Sequence, residues 1–432
     1  MTNLIVRGGR PLRGAISPSA NKNAVLPVLC ATLLTDQPVT LHRVPDITDV
    51  RKILEFFGNL GSTVDMDYAT GTLKLRHGEG LNPKAAHLPL GMRSTLMLIP
   101  PLLHRFGAAS IEEDATGCTL GAREIDPHIE VFQTFGAEVR RTPEALYIST
   151  PKGFHAADHW LDYASVTTTE NFALCAATAR GRSQLTNAAC EPHVQEFCAF
   201  LAQMGADVSG VGGSRLTLEG VDKLSGTEFT FADDFHEVAT FLAMGAITGG
   251  EVSVKNGALE QFPLLDRTFA KFGVEVTHKD GWSSARIDGA LKVREPFTSN
   301  ILTKVEAAPW PYVPADLLPI FVALGVRAEG SVMFWNKVYE GALGWTQELG
   351  KFGAHAVLCD PHRLITYGGK PLMPATVESP YIIRVAIALF MLAASIEGQS
   401  TILNAAPIKR AHPKFVENLN ALGADVEWVI GD

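Results

Sequence analysis

The chain has 432 residues, 46% hydrophobic and 19% charged, with a formal net charge of −9. That acidic surplus excludes a general nucleic-acid binder, which needs Lys and Arg for phosphate contacts, but leaves room for small anions in a locally basic pocket. The longest apolar run, 385–396, falls short of the roughly 20 residues that span a bilayer, and six cysteines without a C-x-x-C pair or zinc spacing suggest reduced, mostly buried thiols in a cytoplasmic protein.

Met1-Thr2-Asn3-Leu4 leads straight into a strand-like segment, with no targeting signal ahead of it. Residues 23–34 form a nearly continuous apolar stretch of good helix formers, which predicts a helix buried on most sides. Val39-Thr40-Leu41 reads as strand, and Pro45-Asp46 to Asp49 as a turn and cap. Val50, Ile53, Leu54, Phe57 and Leu60 then share one helical face, Gly61 supplies a left-handed stop, and a strand follows around Val64.

The same order recurs along the chain. Further buried helices are expected near 94–103, 169–179, 237–247, 316–324 and 382–396. Amphipathic helices carry Ile129/Phe132/Phe135, Val194/Phe197/Leu201/Met204, Leu265/Phe269/Phe272, Trp345/Leu349/Phe352 and Phe415/Leu419/Leu422. Each copy ends in a large apolar residue followed by Gly, at Gly61, Gly136, Gly205, Gly273, Gly353 and Gly423, spaced 75, 69, 68, 80 and 70 residues apart. Asn187, Asn256, Asn336 and Asn404 follow the middle strand of four copies. One supersecondary unit is therefore used six times. A unit of about 70 residues barely buries a core alone, so the units are expected to pack with helices central and sheets outside.

Three places break the repetition. Lys22 sits in Ser19-Ala20-Asn21-Lys22-Asn23-Ala24 at a helix start, where a cation opposes the helix dipole. It either holds an anion together with the terminal amides or is an ordinary solvated lysine. Residues 114–126 form a long Gly-punctuated segment with Cys118 and nearby Arg123. This suits a mobile loop in which a cation favours thiolate, or a tolerated surface cysteine. Asp316 closes the proline-stiffened Trp310-Pro311-Tyr312-Val313-Pro314-Ala315 and is either an N-cap or a rigidly held general base.

Together these segments resemble the enolpyruvyl transferase family over the whole chain, most strongly at residues 19–27, 92–93, 117–128, 165–171 and 187–192. The resemblance implies an α/β fold of two lobes, each a pseudo-threefold, inside-out, barrel-like arrangement of βαβαββ-type repeats. One lobe would comprise residues 22–230 and the other 1–21 with 231–432, with the active site in the cleft between them. It implies transfer of the enolpyruvyl group of phosphoenolpyruvate to a sugar hydroxyl of UDP-N-acetylglucosamine, as in peptidoglycan precursor synthesis, with no cofactor or metal. The partners would be these small molecules rather than nucleic acid or membrane. A monomer is compatible with the sequence, which leaves the oligomeric state open.

By the same resemblance, Lys22, Arg123 and Arg410, helped by Arg93, would hold the phosphate and carboxylate of phosphoenolpyruvate. Cys118 would protonate C3 or form an adduct, and is the position fosfomycin alkylates in the family. Asp316 would take the proton of the attacking hydroxyl. Asn23 would contact the sugar, Glu124, Ile125, Asp126 and Pro127 the uracil, and Ser165, Val166 and Thr167 the diphosphate. Glu191 and Asp234 would stand at the cleft. The chain departs from the family pattern at Thr167 (a glycine there), in the stretched approach to Asp316, and at Lys337 (an arginine there). It also departs at 376–381, where a Thr-Asp-Leu-Arg-Ala segment is replaced and the arginine appears only at Arg384. Those departures leave open a uridine monophosphate-type acceptor, as in nucleoside-antibiotic synthesis, and a non-catalytic nucleotide-binding paralogue. The shikimate-pathway branch fits poorly, because it does not use the Gly117-Cys118 loop.

Overall fold

The computed structural model describes residues 2–89, 91–112, 124–298 and 300–430. The recurring glycines explain how each copy is terminated. Gly61, Gly136, Gly205, Gly273, Gly353 and Gly423 all take positive φ, between 74° and 103°. This left-handed conformation ends a helix and is strained for any residue with a Cβ. The asparagines after the middle strands serve a related purpose. Asn187 and Asn404 adopt φ of 62° and 58°, as does Arg43 at the matching place in the first copy (64°). Asn256 and Asn336 instead accept from the backbone amides of Ala258 (2.9 Å) and Val338 (2.9 Å) with their side chains.

The fold is α/β. Among the described residues there are six small open sheets, five of four strands and one of three, none closed into a barrel. Each four-stranded sheet joins a parallel edge strand to an antiparallel trio. Asp158–Trp160, for example, runs parallel to Arg182–Thr186 across the Val166–Ala176 helix, and Arg215–Glu219 and Asp207–Ser209 complete the sheet. The strands alternate between buried and exposed residues, as Thr72–Arg76 does, so one face meets solvent. The first helix of each copy is buried nearly all round: every residue of Phe235–Ile247 is buried, and all but Ile383 of Ile383–Ala394. Helices therefore lie inside and sheets outside.

Two compact units result, each with its own apolar core. One contains residues 2–19 with 233–430, the other residues 20–112 with 124–232. In the first, strand Thr2–Gly8 fills the middle of a sheet between Gly398–Leu403 and Val426–Ile430. There the helices Phe235–Ile247, Leu318–Arg327 and Ile383–Ala394 pack on one another. In the second, Lys22–Thr32 and Val166–Ala176 both pack on the turn Arg93–Leu98.

Several expectations need correction. The helix expected at 94–103 is a 3₁₀ turn, Arg93–Leu98, followed by an α-helix, Ile99–Phe106. Pro100 and Pro101 lack the N–H groups that would close the earlier turns. The helix expected from Asp316 likewise starts as a 3₁₀ turn, Ala315–Leu317, before Leu318–Arg327. Trp345, Leu349 and Phe352 share a buried face of a 3₁₀ segment, Gly344–Phe352, whose two glycines weaken α-helix formation. Ahead of Thr48–Leu60 the cap position is Ile47, with no side-chain cap bond, while Asp46 pairs with Arg51 at 2.6 Å.

Candidate active site

The expected site residues divide between the two units. In the unit of residues 20–232, three of them stand at the start of a helix or turn. Lys22 is the first residue of Lys22–Thr32, capped by Asn21, whose Oδ1 accepts from the Asn23 amide at 3.2 Å. Arg93 opens the turn Arg93–Leu98. Ser165 caps Val166–Ala176, its hydroxyl 2.8 Å from that of Thr168, and Val166 and Thr167 form the first turn. Such starts offer unpaired amides and partial positive charge. Glu191 is the cap residue of Pro192–Gln203. Cys118 and Arg123 lie outside the described residues.

Glu124, Ile125, Asp126 and Pro127 lead into the helix Asp126–Thr134, with Glu124 and Asp126 exposed. One turn in, fully buried His128 ties this segment to the Ser165–Thr167 segment. Asn171 donates to its Nδ1 at 2.8 Å, so the ring proton sits on Nε2, which faces the Thr167 hydroxyl at 3.4 Å. His128 thus joins two segments that the sequence marked separately. Nothing in its local sequence shows this, because the link depends on packing between helices.

Burial disfavours the thiolate at the four buried cysteines among the described residues. Burial raises the thiol pKa of Cys30 and Cys175, that of Cys198 to about 12 and that of Cys190 to about 11. Cys359 is exposed on the strand Ala356–Asp360.

In the unit of residues 233–430, Asp316 is the middle residue of the Ala315–Leu317 turn and follows the cis peptide Trp310–Pro311. The cap position of this turn is Pro314 and that of the helix beyond is Leu317. Asp316 thus stands one residue inside the turn rather than at either cap position. Lys337 is engaged by Glu306 (2.6 Å) and lies 4.3 Å from the Trp335 ring centroid. Arg410 lies in the last turn of Ala406–Ala411.

Asp234 centres the densest charged group in this unit. It caps Phe235–Ile247 by accepting from the His236 amide (2.9 Å), and its Oδ1 also meets His236 Nδ1 (3.2 Å). Arg384 reaches its other oxygen at 3.8 Å from the first turn of Ile383–Ala394. Burial alone would raise the Asp234 pKa, but the bond and charge of His236, with Arg384 and His412, hold the carboxyl well below the ordinary range. Three residues on, Glu237 accepts from the Ser19 amide and pairs with His412 Nδ1 at 3.2 Å. Among the described residues, neither Nη1 of Arg384 nor Nε2 of His412 meets a hydrogen-bond partner, although both atoms are buried. The sequence marked Asp234 and noted Arg384 only as displaced. It did not mark His236 or His412.

A family profile for EPSP synthase (3-phosphoshikimate 1-carboxyvinyltransferase) matches residues 6–419. The chain is 34% identical to a UDP-N-acetylglucosamine 1-carboxyvinyltransferase of Borreliella burgdorferi, with 99% of each chain covered. It is 34% identical to one of Bradyrhizobium diazoefficiens, covering 98% of this chain and 97% of that one. Among solved structures, the enolpyruvyl transferase NikO from Streptomyces tendae superposes with a TM-score of 0.85 at 21% identity, covering 100% of this chain and 99% of that one. EPSP synthase from Acinetobacter baumannii superposes with a TM-score of 0.76 at 17% identity, covering both chains fully. Profile, full-length relatives and fold agree: the chain belongs to the EPSP synthase family of enolpyruvyl transferases.

Proposed function

We propose that this chain transfers the enolpyruvyl group of phosphoenolpyruvate to a sugar hydroxyl of UDP-N-acetylglucosamine, releasing phosphate. The observation that carries this reading is full-length identity of 34% to relatives named for that reaction. In the addition step the acceptor oxygen bonds to C2 of phosphoenolpyruvate, its proton passes to a base, and C3 gains a proton. In the elimination step C3 loses a proton, the double bond re-forms, and the C2–O bond to phosphate breaks.

Asp316 is the base in this reading, held near the start of a buried helix by the 3₁₀ turn Ala315–Leu317. Cys118 serves C3. Lys22, Arg93, Arg123 and Arg410 hold the two anionic ends of phosphoenolpyruvate, and the buried Arg384 joins them. Asn23, Glu191, Asp234 and Lys337 are further substrate contacts, with Glu124, Ile125, Asp126 and Pro127 beside the uracil and Ser165, Val166 and Thr167 beside the diphosphate. Locally placed basic side chains in an acidic protein suit two polyanionic substrates.

A uridine monophosphate acceptor is the second reading. One observation favours it: residues 376–381, where the family pattern is lost, form the sheet strand Thr376–Glu378 and the rebuilt approach to Ile383–Ala394. Phosphate release from phosphoenolpyruvate, assayed with each nucleotide offered alone, separates the two. Release with UDP-N-acetylglucosamine only is expected, and release with uridine monophosphate only transfers the assignment. Asp316→Asn should reduce release at least a hundredfold. Release with neither acceptor overturns both readings.

A further inference from the structure

His412 is a buried ring oriented by a carboxylate. It is 8% exposed and directly follows the helix Ala406–Ala411, two residues after Arg410. The carboxylate of Glu237, itself held by the Ser19 amide, fixes its Nδ1 at 3.2 Å. A carboxylate accepting from Nδ1–H fixes the ring orientation; Nε2 then carries a proton as well only in the imidazolium, the form that Glu237 on one side and a bound anion on the other favour together. Yet among the described residues that nitrogen meets no acceptor.

A second unmet donor, Nη1 of Arg384, belongs to the same charge network. Arg384 is 6% exposed, and both side chains act electrostatically on Asp234. Two buried polar atoms left unpaired in one network are costly unless a ligand completes them. Both side chains lie by helix starts, His412 against Glu237 in the first turn of Phe235–Ile247 and Arg384 in that of Ile383–Ala394. Helix starts favour negative charge. The charged groups tied into this place are Asp234, His236 and Glu237 from one helix and Arg384 from another, while Lys409 and Arg410 occupy the last turn of the helix just before His412.

We infer that His412 is a further substrate-binding residue, donating from Nε2 to an anionic oxygen, phosphate or carboxylate, of phosphoenolpyruvate. This rests on the enolpyruvyl-transfer reading. Glu237 is the positioning residue that aims the ring.

Two near-isosteric variants of the full chain separate this role from a structural one. His412→Gln places an amide near Nε2 and gives up the Nδ1 contact. His412→Asn keeps a donor toward Glu237 and removes the one at Nε2. Calorimetric titration with phosphoenolpyruvate should show about a tenfold weaker Kd for His412→Asn, the worth of one charge-assisted hydrogen bond. His412→Gln should stay within about threefold of the parent. UDP-N-acetylglucosamine affinity, unchanged in both, reports an intact fold. Titration with inorganic phosphate names the oxygen: weakening there too assigns the phosphate, and weakening with phosphoenolpyruvate alone assigns the carboxylate. Equal phosphoenolpyruvate affinity in all three proteins, or a greater loss in His412→Gln, overturns the inference and leaves the proposed reaction standing. No binding of phosphoenolpyruvate by the parent chain overturns both.

Discussion

Asp234 shows how a single carboxylate can both cap a helix and balance a buried charge. Its bonds to His236 stabilise a helix start, while its charge offsets Arg384 inside the core. Asp234→Asn keeps the cap, because Asn caps about as well as Asp, but leaves Arg384 uncompensated. The loss should be about 3 kcal/mol at pH 7, typical of breaking a buried pair by removing one partner. Because the folded carboxyl is held below the ordinary range, its stabilisation is fully present above the unfolded value of about 3.9. It is lost as pH falls through the folded value. Urea midpoints of the two proteins should therefore differ by a constant amount from pH 7 down to about 5 and converge below about 4. A gap that widens in acid would contradict this account. Asp234 was legible in the sequence because it stands where the repeat places a helix start. His412 and His236 were not, since their significance comes from carboxylates that the fold brings to them.

The helix ends give the element scale its sharpest case. Helix Thr48–Leu60 contains Gly58 within its last turns and Gly61 just beyond, the latter at φ 96°. An added Cβ at Gly58 would meet nothing within 4 Å, and at Gly61 only Gly80 O at 3.8 Å. Packing is therefore neutral at both positions, and backbone conformation decides the outcome. Gly58→Ala should stabilise the protein by about 0.5–1 kcal/mol, because Ala is the better helix former. Gly61→Ala should destabilise it by about 1–2 kcal/mol, the strain of a left-handed Ala. Denaturant midpoints of the two variants should fall on opposite sides of the parent; shifts of the same sign would refute a conformational origin. The six stops were readable because their cause is local to one residue. The split of the second buried helix at Pro100-Pro101 was equally local and was missed because apolar periodicity continues through it. The 3₁₀ winding of Gly344–Phe352 had no such mark: spacings of four and three at Trp345, Leu349 and Phe352 fit either winding.

At the scale of the whole molecule, the repeat is not laid down strictly in sequence order. Strand Thr2–Gly8 pairs with Gly398–Leu403 and Val426–Ile430, so the last sheet needs the first residues of the chain. Parallel pairing at the unit boundaries is exchanged as well. Arg13–Ile16 pairs with Glu251–Lys255, and Glu228–Thr230 with Val39–His42. Local patterning shows a strand but not its partner, which is why these pairings had to come from the fold itself. Leu4 and Val6 point into the core at 0% and 1% exposure, and truncating one such side chain costs about 2–5 kcal/mol. Removing residues 2–8 takes away both side chains and leaves two unpaired strand edges. Because each unit has a separate apolar core, the damage should stay in the unit of residues 233–430. Hydrogen exchange followed by mass spectrometry should then show protection lost across 398–403 and 426–430 but kept across 39–42, 72–76 and 182–186. Equal loss in both sets would mean that the two cores fold as one cooperative body.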